Sequence, residues 1–237
     1  MKNCTAEQLI GFESMIRDLF ADGELPYLIH LGGGNEEQLI NIFEEVQWGD
    51  WVLASHRNHF HALLSGVDPW KLRSLISEGN SMFVYENPQL QTVDTHGRFR
   101  LAKVNFLTSA ILGGTCGIAA GIALAIHKEQ GPENVWCFLG DGAADNGHLF
   151  EAAMLVESRG LPCTFIIEDN DRSVDTTKEE RRGPRRINPF AEFACVRTYQ
   201  YKPTYPHGGA GLTKMIEFKK EAVQRYLDAN KLNANAS

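Results

Sequence analysis

The chain reads as an α/β domain built on a mostly parallel sheet with helices on both faces, and three observations predict it. Two short apolar runs, residues 135–139 and 163–167, are bounded by turn residues and enclose a stretch of helical length. That is the pattern of buried parallel strands joined by a crossover helix. Residues 51–54, Trp-Val-Leu-Ala, form a third such run and again end in polar residues. With 237 residues, 43% hydrophobic and 22% charged, the chain has enough material for one buried core and an ordinary globular composition.

Charge and cysteines exclude several classes. A net charge of −7 gives no overall attraction to nucleic acid or anionic membrane. The five cysteines, Cys4, Cys116, Cys137, Cys163 and Cys195, are odd in number, scattered and free of any CxxC pair. They read as free thiols in a reducing cytoplasm. Residues 1–10 lack a basic cluster followed by an apolar core, and no apolar run is long enough to span a bilayer. A soluble, cytoplasmic protein is the expectation.

Taken in order, Thr5 and Gln8 make a capping box, and Leu9, Ile10, Phe12, Met15, Ile16, Leu19 and Phe20 follow with helical spacing up to Gly23. Residues 28–37 carry three successive glycines and run into a helix with Leu39, Ile40, Ile42 and Phe43 as apolar positions. The glycines lack a GK[ST] ending and follow no clear strand, which argues against a phosphate loop of that type. The strand candidate at 51–54 runs into Ser55-His56-Arg57-Asn58-His59-Phe60-His61. Three histidines invite a zinc reading, whereas a diphosphate calls for the Arg57 fork. Asp68 caps a helix with Pro69 in its first turn and Leu72, Leu75 and Ile76 as its buried stripe. Residues 86–103 read as polar and irregular.

Residues 110–125 form a helix rich in small side chains, which by themselves let a helix approach a sheet or a partner closely. Residues 176–186, TTKEERRGPRR, form a charged loop with no apolar anchor, read as mobile and solvated. The alternative is a lid closing over an anionic substrate with Arg181, Arg182, Arg185 and Arg186. Residues 189–197 are read to contain a short helix, and 199–211 a Tyr-Pro-Gly loop. A last helix carries Leu212, Met215, Ile216, Ala222, Val223, Tyr226 and Leu227 as its stripe, and residues 230–237 form a frayed tail.

The chemistry concentrates in residues 135–176. The turn Gly140-Asp141-Gly142 follows one strand and Asn170 follows the next, 170 − 141 = 29 positions later, about one strand-helix-strand unit. Both polar side chains therefore sit at the carboxyl ends of two strands of one sheet. A magnesium ion carrying a diphosphate fits there, because magnesium takes hard oxygen ligands and leaves positions for phosphate. The two glycines let the backbone turn close to the anion, and the amides opening the next helix face it.

GDG followed by Asn at this spacing is similar to the thiamine-diphosphate fingerprint. The flanking text GDGAADNGHLFEAAML and LPCTFIIEDN resembles the alpha subunit of the thiamine-diphosphate-dependent 2-oxoacid dehydrogenase first component, of the pyruvate, branched-chain and acetoin dehydrogenase type, in a short version. His30, Leu31, Gly34 and Glu36 fall on that family's HLxxGxE segment, with Asn35 for the usual Gln. The resemblance makes His30 the residue that reaches the substrate. Residues 56–59 resemble the YRxH run, which gives Arg57 a diphosphate contact, places His56 where Tyr is usual, and sets His59 on the family's His as a second catalytic candidate. Residues 79–83 resemble GGSMH, with Phe83 in place of His.

The small-residue helix matches GIVGAQVPLGAGIALA without a gap, which sets Ala110 and Leu112 beside the cofactor's rings. Gly140, Asp141, Gly142 and Ala143 become diphosphate contacts, and Asp141, Asn170 and the Arg172 carbonyl become ligands of Mg2+. His207, in a stretch loosely similar to the family's loop over the diphosphate, is a further candidate.

The resemblance implies a thiamine-diphosphate-binding fold and one diphosphate-binding domain over residues 1–237: an N-terminal helix at 1–25, a cofactor-binding core at 28–176, and a mobile loop with a C-terminal helix at 177–237. It implies a chain that decarboxylates a 2-oxo acid and passes on the acyl fragment. The activating glutamate comes, in that family, from a pyrimidine-binding domain. The expectation is therefore a site completed by a beta-type subunit, in an α2β2 heterotetramer, with a lipoyl-domain acyltransferase as a further partner. Two alternatives stay open: a split transketolase-like or acyloin-type carboligase subunit, and a non-catalytic cofactor-binding module.

Overall fold

The structure, a computed structural model, describes residues 4–80, 85–86, 90–93, 99–102, 105–184, 187–206, 211–212 and 215–234. Ser81, Met82, Phe83, Arg185, Arg186 and His207 lie outside the described residues. The first helix, α1 (Ala6–Ala21), starts at Thr5 with the expected capping box, and its Leu9, Phe12, Ile16 and Phe20 are buried. α2 (Glu36–Phe43) buries Leu39 and Phe43. Then come β1 (Trp51–Ala54), α3 (His59–Leu64) and α4 (Pro69–Ser77), the last capped by Asp68, whose side chain accepts from the amides of Trp70 and Lys71.

The described residues of the stretch read as irregular lie in strands. It contains β2 (Tyr85–Glu86), β3 (Leu90–Val93) and β4 (Phe99–Ala102), with β3 and β4 paired antiparallel from Leu90 opposite Ala102 to Val93 opposite Phe99. Cross-strand ladder bonds, which leave no periodic mark in a polar sequence, make the difference.

β5 (Asn105–Thr108) is followed by α5 (Gly114–Glu129), four residues later than the start expected at 110. Gly113 adopts a left-handed conformation with φ 70°, and the Ser109 hydroxyl accepts from the Ile111 amide, so residues 110–113 form a turn ahead of the helix. β6 (Val135–Gly140), α6 (Gly147–Arg159) and β7 (Cys163–Asp169) match the expected strand-helix-strand unit.

Of the segment 176–186 read as a mobile charged loop, β9 (Thr176–Thr177) pairs instead with the preceding β8 (Arg172–Ser173) in a small hairpin, and a short helix follows, α7 (Lys178–Arg182), with its own Thr177–Glu180 capping box. Residues 189–197 hold no helix. The Phe193 and Val196 amides bond back only three residues, to Phe190 and Phe193, and the chain then enters β10 (Val196–Gln200). α8 (Lys220–Ala234) starts after Leu212, Met215 and Ile216. The chain before it is tied to the turn after α1 by the Lys219 amide on the Gly23 carbonyl.

The main sheet has the order β10-β7-β6-β1-β5-β2, parallel throughout except for β2, which pairs antiparallel with β5. Alternation divides the core in two. Val52, Ala54, Phe106, Trp136, Phe138 and Ile166 face α1 to α4. Leu53, Val135, Cys137, Leu139, Phe165 and Ile167 face α5 and α6. The small side chains of α5 do what was expected of them: Cys116, Ala119, Ala120 and Ala123 are buried against the sheet.

This topology positions a site. From β1 the chain moves to β5 on one side, then crosses back to β6, β7 and β10 on the other. The direction reverses between β1 and β6, and the crevice at their carboxyl ends is where such sheets take ligands.

Candidate functional site

A cavity of about 310 Å³ lies at that reversal, lined by residues that follow four strands. Ser55, His56 and Arg57 follow β1. Ala110 and Leu112 follow β5. Gly140, Asp141, Gly142 and Ala143 end β6, and Glu168, Asn170, Arg172, Ser173 and Val174 end β7, with His30 and Tyr201 completing the wall. Every cofactor-binding candidate among the described residues, His207 being outside them, is in this one cavity, together with His30.

His30 and His56 meet edge to face, with ring centroids 4.9 Å apart, and Nε2 of His56 lies 3.5 Å from Nη1 of Arg57. Leu112 is held through its carbonyl, which accepts from Nδ2 of Asn146 at 3.2 Å. The same Asn146 side chain caps α6 by accepting from the His148 amide. One residue thus ties the turn at 110–113 to the helix that opens behind the GDG turn.

Asp141 is 2% exposed. Burial pushes its carboxyl up to about 6, against the opposing pull of Arg181 and Lys178. Oδ2 of Asp141 accepts from Arg181, but Oδ1 is buried with no hydrogen-bond partner. Asn170 offers a second oxygen: its Oδ1 accepts the Arg172 amide at 3.1 Å while its Nδ2 donates to the Tyr201 hydroxyl at 3.3 Å. The Arg172 guanidinium donates to the carbonyl of Asp175 at 3.0 Å, and Arg172 lines the cavity, where its carbonyl is the candidate third oxygen. An orphaned buried carboxylate oxygen, an amide oxygen and a carbonyl are the hard donors that Mg2+ takes, and the residues present fit it. Gly142 fits a close approach: a Cβ there would stand 2.4 Å from the Ser173 hydroxyl.

His59 is not in the cavity. It is 1% exposed, and its Nδ1 lies 3.0 Å from both oxygens of buried Glu13, which also accepts the Gly32 amide at 2.8 Å. His61 is equally buried, with its ring against Phe138 and its Nε2 3.2 Å from Oε1 of Glu168. The three histidines diverge, and among the described residues no group of three or more His, Cys, Asp or Glu is placed to hold a metal ion.

Sequence reasoning missed Tyr201 and Glu168, and it named Arg181 only as one of four arginines of a lid over an anionic substrate. Tyr201 and Tyr199 stand two apart at the end of β10, in the stretch from which only His207 was singled out. Tyr199 donates to Oε1 of Glu168 at 2.5 Å, and Nδ2 of Asn35 donates to both of them. Burial first, and the Glu168 carboxylate second, push both tyrosine hydroxyls well above their usual range, so both are neutral donors. Arg181 carries no motif, and the structure places it on Asp141 and Asp145.

The family described as "Dehydrogenase E1 component" matches residues 9–190. The alpha subunit of acetoin:2,6-dichlorophenolindophenol oxidoreductase of Bacillus subtilis (strain 168) is 28% identical over 164 residues, 69% of this chain and 47% of that one. The pyruvate dehydrogenase E1 component subunit alpha of Rickettsia felis is 30% identical over 191 residues, 80% of this chain and 56% of that one. The chain spans about half the length of these two relatives.

Proposed function

The chain belongs to the dehydrogenase E1 component family, and on that premise we propose that it is the alpha-type, diphosphate-binding subunit of a thiamine-diphosphate-dependent enzyme that decarboxylates a 2-oxo acid and passes on the acyl fragment. One observation carries this reading: the cofactor candidates, drawn from loops after four strands, converge with His30 on a single cavity at the reversal of the sheet.

Thiamine diphosphate, when bound, supplies the electron sink for loss of carbon dioxide. The protein's part is to hold and orient. Oδ1 of Asp141, Oδ1 of Asn170 and the Arg172 carbonyl would hold Mg2+. Arg57 offers a guanidinium fork to the diphosphate, with His56 beside it. The Leu112 side chain and the Ala110 backbone, both lining the cavity, would flank the rings. His30, at the cavity wall, is the group to hold or deliver a proton at the reacting substrate. His59 acts at one remove, by fixing Glu13 and through it the glycine loop that follows His30.

A beta-type subunit completes the site in this reading, in an α2β2 assembly. The exposed apolar rim of Ile111, Leu112 and Val174 beside the cavity supports such a cover. The free thiols of all five cysteines fit the cytoplasm as the place of work. Transfer to a lipoyl arm rather than to an aldehyde is the acceptor the reading predicts.

The test is calorimetric titration of thiamine diphosphate and Mg2+ into the chain with its beta-type partner, followed by assays with pyruvate and branched 2-oxo acids. Asp141→Ala should abolish Mg2+-dependent binding, because it leaves the diphosphate charge without its bridging cation. Unchanged affinity in that variant would sink the assignment.

A further inference from the structure

Arg181 belongs to none of the motifs above, yet it stands on the carboxylate at the centre of the site. Its Nη2 donates to Oδ2 of Asp141 at 2.5 Å, and its Nε lies 2.9 Å from Oδ2 of Asp145. The opposite oxygen of Asp141, Oδ1, is buried and has no hydrogen-bond partner. Nη1 of Arg181 reaches over the GDG turn, 3.3 Å from where a Cβ on Gly142 would be.

We propose that Arg181 is the positioning residue of the cation site: by occupying Oδ2 of Asp141 it fixes the plane of that carboxylate and leaves Oδ1 as the single oxygen presented to a divalent cation. The inference deepens the proposed function and rests on its reading of Asp141 as a ligand. A carboxylate with a free terminal torsion would share its charge between two orientations. One held on a guanidinium fork keeps one. The helix that carries Arg181 has other anchors, Lys178 on Oδ2 of Asp169 at 2.5 Å, Arg182 on Asp145, and the Thr177–Glu180 box. Removing the Arg181 guanidinium therefore takes away the orienting contact and leaves the helix in place.

The opposite sign is equally definite. A guanidinium that competed with the cation for Asp141 would weaken cation binding, and its removal would tighten it.

The experiment uses the full chain with thiamine diphosphate and Mn2+ as the probe, with free Mn2+ followed by electron paramagnetic resonance. Arg181→Gln should bind Mn2+ about 10- to 100-fold more weakly than the unaltered chain, the usual cost of removing an outer-shell partner. Arg181→Lys should recover part of the loss, because it restores the charge but not the fork. A merely structural residue would lower the melting temperature of both variants without separating their Mn2+ affinities. Equal or tighter binding by Arg181→Gln overturns the proposal. Asp141→Ala, run alongside, separates the two levels. If it binds Mn2+ like the unaltered chain, the ligand reading itself is wrong; if it loses binding while Arg181→Gln does not, only the role of Arg181 falls.

Discussion

Glu13 has almost no contact with water, yet both of its oxygens are served, by the Gly32 amide and by Nδ1 of His59. This pair fastens α1 and α3 to the glycine loop two residues beyond His30, so a residue far from any motif sets the geometry of the cavity wall. Glu13→Ala would leave a buried histidine and a buried amide without their acceptor. It should destabilise the fold by about 3–5 kcal/mol, the cost of breaking one side of a buried pair, as read from urea unfolding. Glu13→Gln keeps an acceptor and should lose clearly less; equal losses would mean that only packing matters. Arg57→Lys should weaken thiamine-diphosphate binding about tenfold in calorimetric titration, since a point charge replaces a two-pronged donor. At this scale the sequence told which residue types were needed but not which way they face. His56, His59 and His61 alternate in one short stretch, and only Glu13 and Glu168, distant in sequence, decide that the last two turn into the core.

Elements whose stability is local were legible. The Thr5 box, the Asp68 cap, and strands β1, β6 and β7 all stand within a residue or two of where spacing placed them. Elements that depend on remote partners were not. α7 has no apolar stripe, because its anchors are Asp141, Asp145 and Asp169, three carboxylates at the ends of other elements. α5 begins late because Gly113 must turn left-handed, a requirement that periodicity does not record. Gly113→Ala would combine that strain with a Cβ placed 2.6 Å from Nδ2 of Asn146. A loss of about 1–3 kcal/mol is expected, visible as a lower melting temperature. Thr177→Ala removes the hydroxyl of the α7 capping box and should cost that helix about 0.5–2 kcal/mol. Faster tryptic cleavage after Arg181 and Arg182, with no change in the global melt, is the expected outcome. An unchanged cleavage rate would show that the ion pairs alone hold α7.

For the whole molecule, the order of the sheet matters more than any single strand, since it sets where the direction reverses and so where the cavity opens. The parallel core was readable from its near-continuous apolar runs. The edges were not, because β2 and β10 carry mixed polar and apolar residues and gain their place from pairing. If the cavity is half of an active site, the chain alone should show no decarboxylation of 2-oxo acids. Activity should appear on mixing with the beta-type partner, at the composition where light scattering first detects the larger assembly. Full activity without a partner would contradict this.

β10 brings a further consequence. It pairs with β7 at the sheet's edge and delivers Tyr201 to Asn170, so the cavity draws on residues from His30 near the start to Tyr201 near the end. Contacts of such long range form late in folding. On the ribosome, β1 and β5 can meet while the wall made by Tyr201 is still unsynthesised. A nascent fragment ending before β10 therefore has β1 and β5 to β7 but lacks the part of the cavity wall that Tyr201 supplies.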